Sequence, residues 1–396
     1  MSGNTRALIS GAGIAGPSLA YWLRRAGYAV TVVEQADGPR EGGSAVDFRG
    51  AQVRVLERMG ILADVRARQT GMGGQTVVDA DGRPIVTLPA HVFSGEIEIA
   101  RGELTRLLHD RTRDDVEYVF GDSIASLTET DAGVDVAFRR GAPRTFDLVV
   151  GADGSHSVVR RLVFGDERRF REDTGLCVAG CLVPNILGLE SGGVLYNEPG
   201  LGVLVGSRDH TTLDLQFVWT SPPLTYDYRD VARQKQIVSG AFSAARWRTP
   251  ELLELMRDAD DLFFDSISQI ALDRYSRGRV VLLGDAAWSA GPGGGGTGLA
   301  MGGAYTLAGE LATARGDHRV AFARYEQHLR AGVAAGHKQA KGAAPFLAPL
   351  TDKKIAQRNR GYKWLSKRPL ASLFARMTEK AANAMTLKDY PVEAYS

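Results

Sequence analysis

Three short stretches of this chain place glycines and carboxylates where a strand gives way to a turn. The arrangement suits a phosphorylated ligand better than acid, base or nucleophilic catalysis. The first stretch is Gly11-Ala12-Gly13-Ile14-Ala15-Gly16. In a G-x-G-x-x-G turn the first glycine makes the bend and the second lets the backbone approach a pyrophosphate. The third lets the following helix pack on the strand. Free N–H groups at that helix start face the phosphates. Glu34 falls 23 residues after Gly11, where the next strand ends and a carboxylate can accept from ribose hydroxyls. These residues point to a dinucleotide, and FAD and NAD satisfy them equally.

The second stretch runs from Asp147 to Arg160 and delivers Asp153-Gly154 to a turn, with Ser157 and Arg160 on the helix expected next. Read by itself, it is also an ordinary strand–turn–helix with an N-capping aspartate. The third, Gly278 to Ala287, delivers Gly284-Asp285 in the same way. Pro292, a run of four glycines and a small-residue helix from Thr297 follow. A glycine loop at a helix start beside a carboxylate suits a polyol joined to an electron-rich ring. No Ser-His-Asp or Cys-His constellation is visible. His109 and His156 read as surface or turn histidines, so no catalytic acid or base is assigned.

The elements that must position these residues follow from hydrophobic pattern. Arg6–Ser10 reads as a buried parallel strand, about Pro17–Ala26 as a helix stopped by Gly27, and Tyr28–Glu34 as a second strand. Helices are expected at Ala51–Met59 and Arg101–Arg111, with strands in Gln75–Val86 (around Asp81-Gly82) and in Glu96–Ala100. Phe146–Val150 and Val280–Leu283 read as further buried strands. From Phe164 to Ile270 long alternating runs replace the strand–helix–strand rhythm. From about Val320 the chain reads as helical and basic, with Lys353-Lys354 and Lys367-Arg368 on a solvated face. The expected fold is α/β. A Rossmann-like nucleotide-binding domain (residues 1–70, 99–165 and 274–345) carries an inserted antiparallel-sheet domain (71–98 and 166–273) and a C-terminal helical segment (346–396).

Taken in order and at these separations, the three motifs resemble the single-component FAD-dependent aromatic hydroxylases, the para-hydroxybenzoate hydroxylase-like family. The resemblance spans nearly the whole chain. Its length and the Gly-Gly-Ser-Ala-Val-Asp-Phe-Arg-Gly stretch at 42–50 look most like the short tetracycline-modifying and polyketide-tailoring monooxygenases. It implies that Gly11, Gly13 and Gly16, with Ile14 and Ala15 between them, hold the FAD pyrophosphate. Glu34 would hold the adenosine ribose, with Gln35 beside it, and Arg40 and Asp47 would belong to the same cofactor set. Arg101 would reach the flavin nucleotide from its helix start. Asp153 would serve the nucleotide site, and Gly284-Asp285 the ribityl chain. Pro292, Gly295, Gly296 and Thr297 would lie beside the isoalloxazine. Two features depart from the family pattern. Trp288 stands where histidine or tyrosine is common, and the loop Pro292–Thr297 is about one residue short.

The implied reaction is hydroxylation of an aromatic or polycyclic small molecule through a flavin C4a-hydroperoxide, with NAD(P)H and O2 as co-substrates. The hard chemistry would belong to the cofactor. The substrate would sit between the flavin ring and the inserted sheet, with Tyr196, Phe217 and Trp219 as candidate contacts. Each of these equally fits ordinary sheet core. The W-x-W-x-I-P motif of flavin halogenases is absent. A reductase using FAD without oxygen insertion, and a non-catalytic nucleotide-binding protein, remain as alternatives.

Bulk properties agree with a soluble enzyme of small molecules. The 396 residues are 44% hydrophobic and 24% charged with a net charge of +2, so no basic stripe suggests nucleic acid. The two cysteines, Cys177 and Cys181, read as buried apolar positions in a strand rather than metal ligands. No signal peptide and no run of about 18 apolar residues is present, so a cytoplasmic monomer with no membrane or nucleic-acid partner is expected.

Overall fold

The computed structural model describes residues 5–40, 42–70, 73–90, 95–227, 229–260, 262–291, 293–366 and 386–390. Pro292, Lys367 and Arg368 lie outside them. The first strand is Arg6–Ser10, as the apolar run predicts, and it is buried from Ala7 onward. Burial on both faces is what a parallel strand between helix layers requires. The helix Ala15–Arg25 returns the chain to the parallel strand Ala29–Glu34. Its end is closed by Gly27 at φ +83°, with the Gly27 amide donating to Arg24 and the Tyr28 amide to Leu23. That pair of bonds is a Schellman stop, and the left-handed residue it needs is the glycine.

The complete sheet has six strands in the order Ser276–Arg277, Val280–Leu282, Leu148–Gly151, Arg6–Ser10, Ala29–Glu34, Glu117–Phe120. All pairs are parallel except the two-residue edge strand. Ser10 lies in register with Gly151, and Gly151 with Leu282. Hence the turns after three neighbouring strands open at one edge of the sheet, and these turns carry Gly11, Asp153 and Asp285. In open parallel sheets that edge, where the chain reverses its direction of winding, is where ligands bind. The helix Gly296–Thr313 packs beneath the same edge and is buried along nearly its whole length.

A second sheet has seven strands in the order Phe263–Ile270, Arg171–Pro184, Thr212–Thr220, Leu201–Ser207, Gly193–Glu198, Gln75–Val78, Pro84–Leu88. It is antiparallel apart from one pair, Gly193–Glu198 with Gln75–Val78, which runs parallel. The expected antiparallel sheet is present, and the one parallel pair arises because Gln75–Val78 comes from a distant part of the chain and has no tight turn to force reversal. Two helices, Val231–Ala241 and Thr249–Asp258, cover one face; the sequence reading passed over both. Their local signals were present, in Asp230 capping the Arg233 amide and Pro250 in the first turn. Helices Ala343–Leu347 and Asp352–Leu365 pack on part of the opposite face, around Val218, Leu195 and Ala348. A three-stranded sheet, Ile124–Thr130, Gly133–Phe138 and Arg144–Phe146, was also not anticipated. Among the described residues, no helix is long and apolar enough to cross a membrane.

Strand parity decides which residues line which face of the second sheet. Leu213, Leu215, Phe217 and Trp219 share the apolar layer under the two covering helices, together with Tyr196 and both buried cysteines. Phe217 is fully buried, edge-on to Phe242. Tyr196, Phe217 and Trp219 are therefore packed between sheet and helices, on the face turned away from Asp214, Gln216 and Val218. Truncating Phe217→Ala should cost about 3–5 kcal/mol of stability through the cavity it leaves. Denaturant unfolding and flavin titration check this together. The unfolding midpoint should fall with flavin binding retained, whereas lost flavin binding at native stability would contradict the placement.

Candidate active site

The fingerprint turn is held by backbone contacts too close for side chains. Gly11 has φ +107°, and a Cβ there would lie 2.4 Å from the Ala152 carbonyl oxygen. A Cβ on Gly16 would lie 1.9 Å from the Gly11 carbonyl oxygen. A Cβ on Gly13, by contrast, would meet nothing within 4 Å. Two of the three glycines thus serve the fold, and the third faces open space where a ligand can come close. Ile14, the buried N-cap residue, and Ala15 begin the helix. Ala15 touches the third motif: a Cβ on Gly284 would be 3.2 Å from the Ala15 methyl.

Glu34 closes the turn from the neighbouring strand. Its Oε2 accepts from the Ala12 amide at 2.8 Å and its Oε1 from the Ala36 amide at 3.0 Å. An ionised carboxylate has about four acceptor positions, so capacity for sugar hydroxyls remains. Gln35 is exposed beside it and lines a cavity of about 330 Å³ with Gly121, Ser123 and Arg139. Arg40 is exposed too.

The three helix starts differ in one informative respect. The helix Val158–Phe164 is capped from within the protein. Asp153 accepts from the Val158 amide at 2.8 Å, the Val159 amide at 3.2 Å and the Ser157 hydroxyl, and Ser157 Oγ accepts from the Arg160 amide at 2.9 Å. Burial pushes the Asp153 carboxyl up, and these donors pull it back. The Asp153 carboxylate is taken up by this cap, so its geometry makes it a positioning residue. The helices Ala15–Arg25 and Gly296–Thr313 carry no side-chain cap at all. Their first amides are left for an anion or for water.

Asp285 opens the short helix Asp285–Trp288 and is half-buried. No described residue donates a hydrogen bond to its carboxylate, which burial pushes up and the charges of Arg101 and Arg160 pull down. Its Oδ1 would lie 3.6 Å from a Cβ on Gly296. Gly295, left-handed at φ +66°, Gly296 and Thr297 are half-buried around that point. Arg101 begins the helix Arg101–Asp110 with its stem against Gly43, 3.1 Å from a Cβ built there. Asp47 accepts from Arg49 Nε at 2.9 Å and stands opposite Glu98 across the two-stranded sheet Ala45–Phe48 and Ile97–Ala100. Glu98 is buried, bonded by Thr70 Oγ1 at 2.5 Å, and pushed up by burial and by its neighbours Asp47 and Asp214. Trp288 points into the core, against Gly303, Tyr275 and Tyr325, so its ring is structural.

Sequence reasoning missed Gln52, Glu98 and Asp214. Gln52 wedges under the glycine loop, its Nε2 3.3 Å from a Cβ on Gly295. Glu98 immediately precedes the Arg101 segment, and an acidic residue inside the apolar run Ile-Glu-Ile-Ala was the available signal. For Asp214 the signal was its alternation with Leu213 and Leu215.

These features fit FAD. Uncapped amides meet an open approach at Gly13 for the pyrophosphate, and Asp285 offers a carboxylate without an internal donor for the polyol. Glu34, at the end of the neighbouring strand, keeps acceptor capacity for the adenosine ribose. Gly13→Ala should fold with the native thermal midpoint yet bind FAD at least tenfold more weakly, since only the ligand needs that space. Gly16→Ala should lower the midpoint of the apoprotein itself. Thermal melts and FAD titration separate the two variants, and equal effects would contradict the assignment.

Comparison with known proteins agrees. Residues 4–330 match the family described as FAD binding domain. An uncharacterised protein of Mycobacterium tuberculosis (strain ATCC 25618 / H37Rv) is 41% identical over 351 residues, covering 87% of this chain and 94% of that protein. A flavin-dependent monooxygenase from an unknown prokaryotic organism is 36% identical over 396 residues, covering 97% and 98%. The crystal structure of tetracycline destructase Tet(55) is 34% identical and superposes with a TM-score of 0.84, covering 98% of this chain and all of that one. With the strand-end glycines, the uncapped helix starts and Asp285, these matches make the chain an FAD-dependent monooxygenase of the para-hydroxybenzoate hydroxylase-like family.

Proposed function

We propose that this enzyme hydroxylates an aromatic or polycyclic small molecule, of tetracycline or polyketide type, using NAD(P)H and O2. The balance is substrate C–H, NAD(P)H, a proton and O2 going to substrate C–OH, NAD(P)+ and water. The observation that carries the reading is the likeness to tetracycline destructase Tet(55) over 98% of the chain, sheet and helices included. FAD, when bound, supplies the redox chemistry, accepting a hydride equivalent and activating O2.

The chain's own part is to bind, orient and keep water out. In this reading Gly11, Gly13, Gly16 and the amides after Ile14 and Ala15 hold the pyrophosphate. Glu34, Gln35 and Arg40 attend the adenosine. Arg101 and Asp285 hold the ribityl chain, with Gly295, Gly296 and Thr297 at the ring edge. The substrate lies between that ring edge and the open face of the seven-stranded sheet. Asp214 and Gln216 occupy that face, and the buried carboxyl of Glu98 and the Asp47–Arg49 pair approach from the other side. Polar groups held among apolar walls fix orientation in such pockets.

The purified protein loaded with FAD should oxidise NADPH faster when an accepted tetracycline or aromatic polyketide is present. The product should be heavier by one oxygen in a mass-resolved screen. An unchanged product mass, or one lower by two hydrogens, would favour a reductase or dehydrogenase instead. Asp285→Asn should raise the FAD dissociation constant by about tenfold with the fold intact, read by flavin fluorescence.

A further inference from the structure

Arg160 is fully buried, in the first turn of the helix that follows the Asp153 turn. Its Nη1 donates to the Ala286 carbonyl at 2.9 Å, and its Nη2 donates to the Ser155 carbonyl at 2.5 Å. One guanidinium therefore ties the Asp153 turn to the short helix that carries Asp285. A buried charge needs a counter-charge. Here it is Glu167, whose Oε2 lies 3.3 Å from Arg160 Nη2. The other oxygen of Glu167 faces His156 Nδ1 at 3.6 Å, and His156 Nε2 faces Asp265 Oδ1 at 3.7 Å. Asp265 belongs to the second sheet: it pairs with Val178 on the strand Phe263–Ile270, whose Ile270 amide donates to the Ser289 carbonyl. Arg171 completes the cluster from the strand Arg171–Pro184, with Nη1 3.6 Å from Glu167 and Nη2 donating to the Ser266 carbonyl.

We propose that His156 is a positioning residue that couples the second sheet to the flavin turn, through the chain Asp265–His156–Glu167–Arg160–Ala286. The inference rests on FAD occupying the site described above. Opposite charges alternate along the chain. The chain of contacts thereby ties the position of the strand Phe263–Ile270 to that of the helix that presents Asp285. The coupling requires His156 to carry a charge, because a neutral ring cannot pair with a carboxylate at both nitrogens. Its two carboxylate neighbours, Asp265 first and Glu167 next, raise it to about 9, so it is cationic at neutral pH. The charged groups paired with it are Asp265 and Glu167, and Arg160 and Arg171 in turn pair with Glu167, so four separate elements contribute to the cluster.

A folded-state value raised from 6.5 to about 9 means that the stabilisation is complete below pH 6.5 and is lost as pH rises through 9. Visible circular dichroism of the FAD-loaded protein between pH 6 and 10.5 should show a step near pH 9 in the native chain. His156→Gln, which keeps every other titrating group, should lack it. Histidine NMR of the apoprotein should place His156 near 9, falling toward 6.5 in Asp265→Asn and in Glu167→Gln. For Arg160, Glu167→Gln and the conservative Arg160→Lys should each weaken FAD several-fold, and Arg160→Met about tenfold or more. Should Arg160→Met fail to fold, Glu167→Gln carries the comparison. A flat native profile, a step surviving in His156→Gln, or a His156 value near 6.5 would overturn the proposal. A protein that holds FAD and shows the step but transfers no oxygen to any compound would overturn the oxygenase reading and leave the coupling standing.

Discussion

The cofactor end of this molecule depends on backbone groups left without internal partners. A helix start exposes amides that cost about 1–3 kcal/mol each if buried unpaired, so proteins normally cap them. Here the helices Ala15–Arg25 and Gly296–Thr313 carry no side-chain caps, and both open at the edge where the parallel strands end. The turn that leaves these amides available is held rigid by contacts no side chain could enter, Gly11 against Ala152 and Gly16 against Gly11. Glu34 adds two hydrogen bonds across the same turn. The rest of the six-stranded sheet serves to hold this edge still.

The second sheet follows from a different constraint, the two-residue period of a strand. Its helix-covered face takes every large apolar side chain of Thr212–Thr220. The residues between them are smaller or polar and turn toward the nucleotide-binding part. Packing against these helices stabilises one face of the sheet, while the opposite face is covered in part by Ala343–Leu347 and Asp352–Leu365 and carries Asp214 and Gln216 on the remainder.

The two parts meet through charges as well as through apolar contact. Arg160, with no exposed surface, could be replaced by an apolar residue of similar volume if stability were its sole role. Its two carbonyl acceptors lie on the Asp153 turn and the Asp285 helix, and its carboxylate partner leads through His156 to the second sheet. Asp153, with its carboxylate committed to the helix cap, fixes the base of that arrangement. The second motif thus also serves as a joint between the two parts, and the same alternation of charge explains why a turn histidine holds its proton well above the usual range.

Much of this was legible in residue order alone. The strand Arg6–Ser10, the turn at Gly11, the helix stop at Gly27 and the carboxylates Glu34 and Asp285 rest on local rules. A glycine is required at a left-handed or crowded position, and a carboxylate after a buried strand faces the ligand edge. Such rules act within a few residues, so a chain read in order reveals them. Two things were decided only in three dimensions. One is which face of the second sheet is covered: alternation shows that Phe217 and Trp219 share a side with Leu213, but only the helices Val231–Ala241 and Thr249–Asp258, packed from elsewhere in the chain, make that side the core. The other is the role of single polar groups. Asp153 and Asp285 follow similar strands and similar turns. One is consumed by amides of its own helix and the other is not, because hydrogen-bond saturation depends on where neighbouring backbone lies, and spacing along the chain does not encode that.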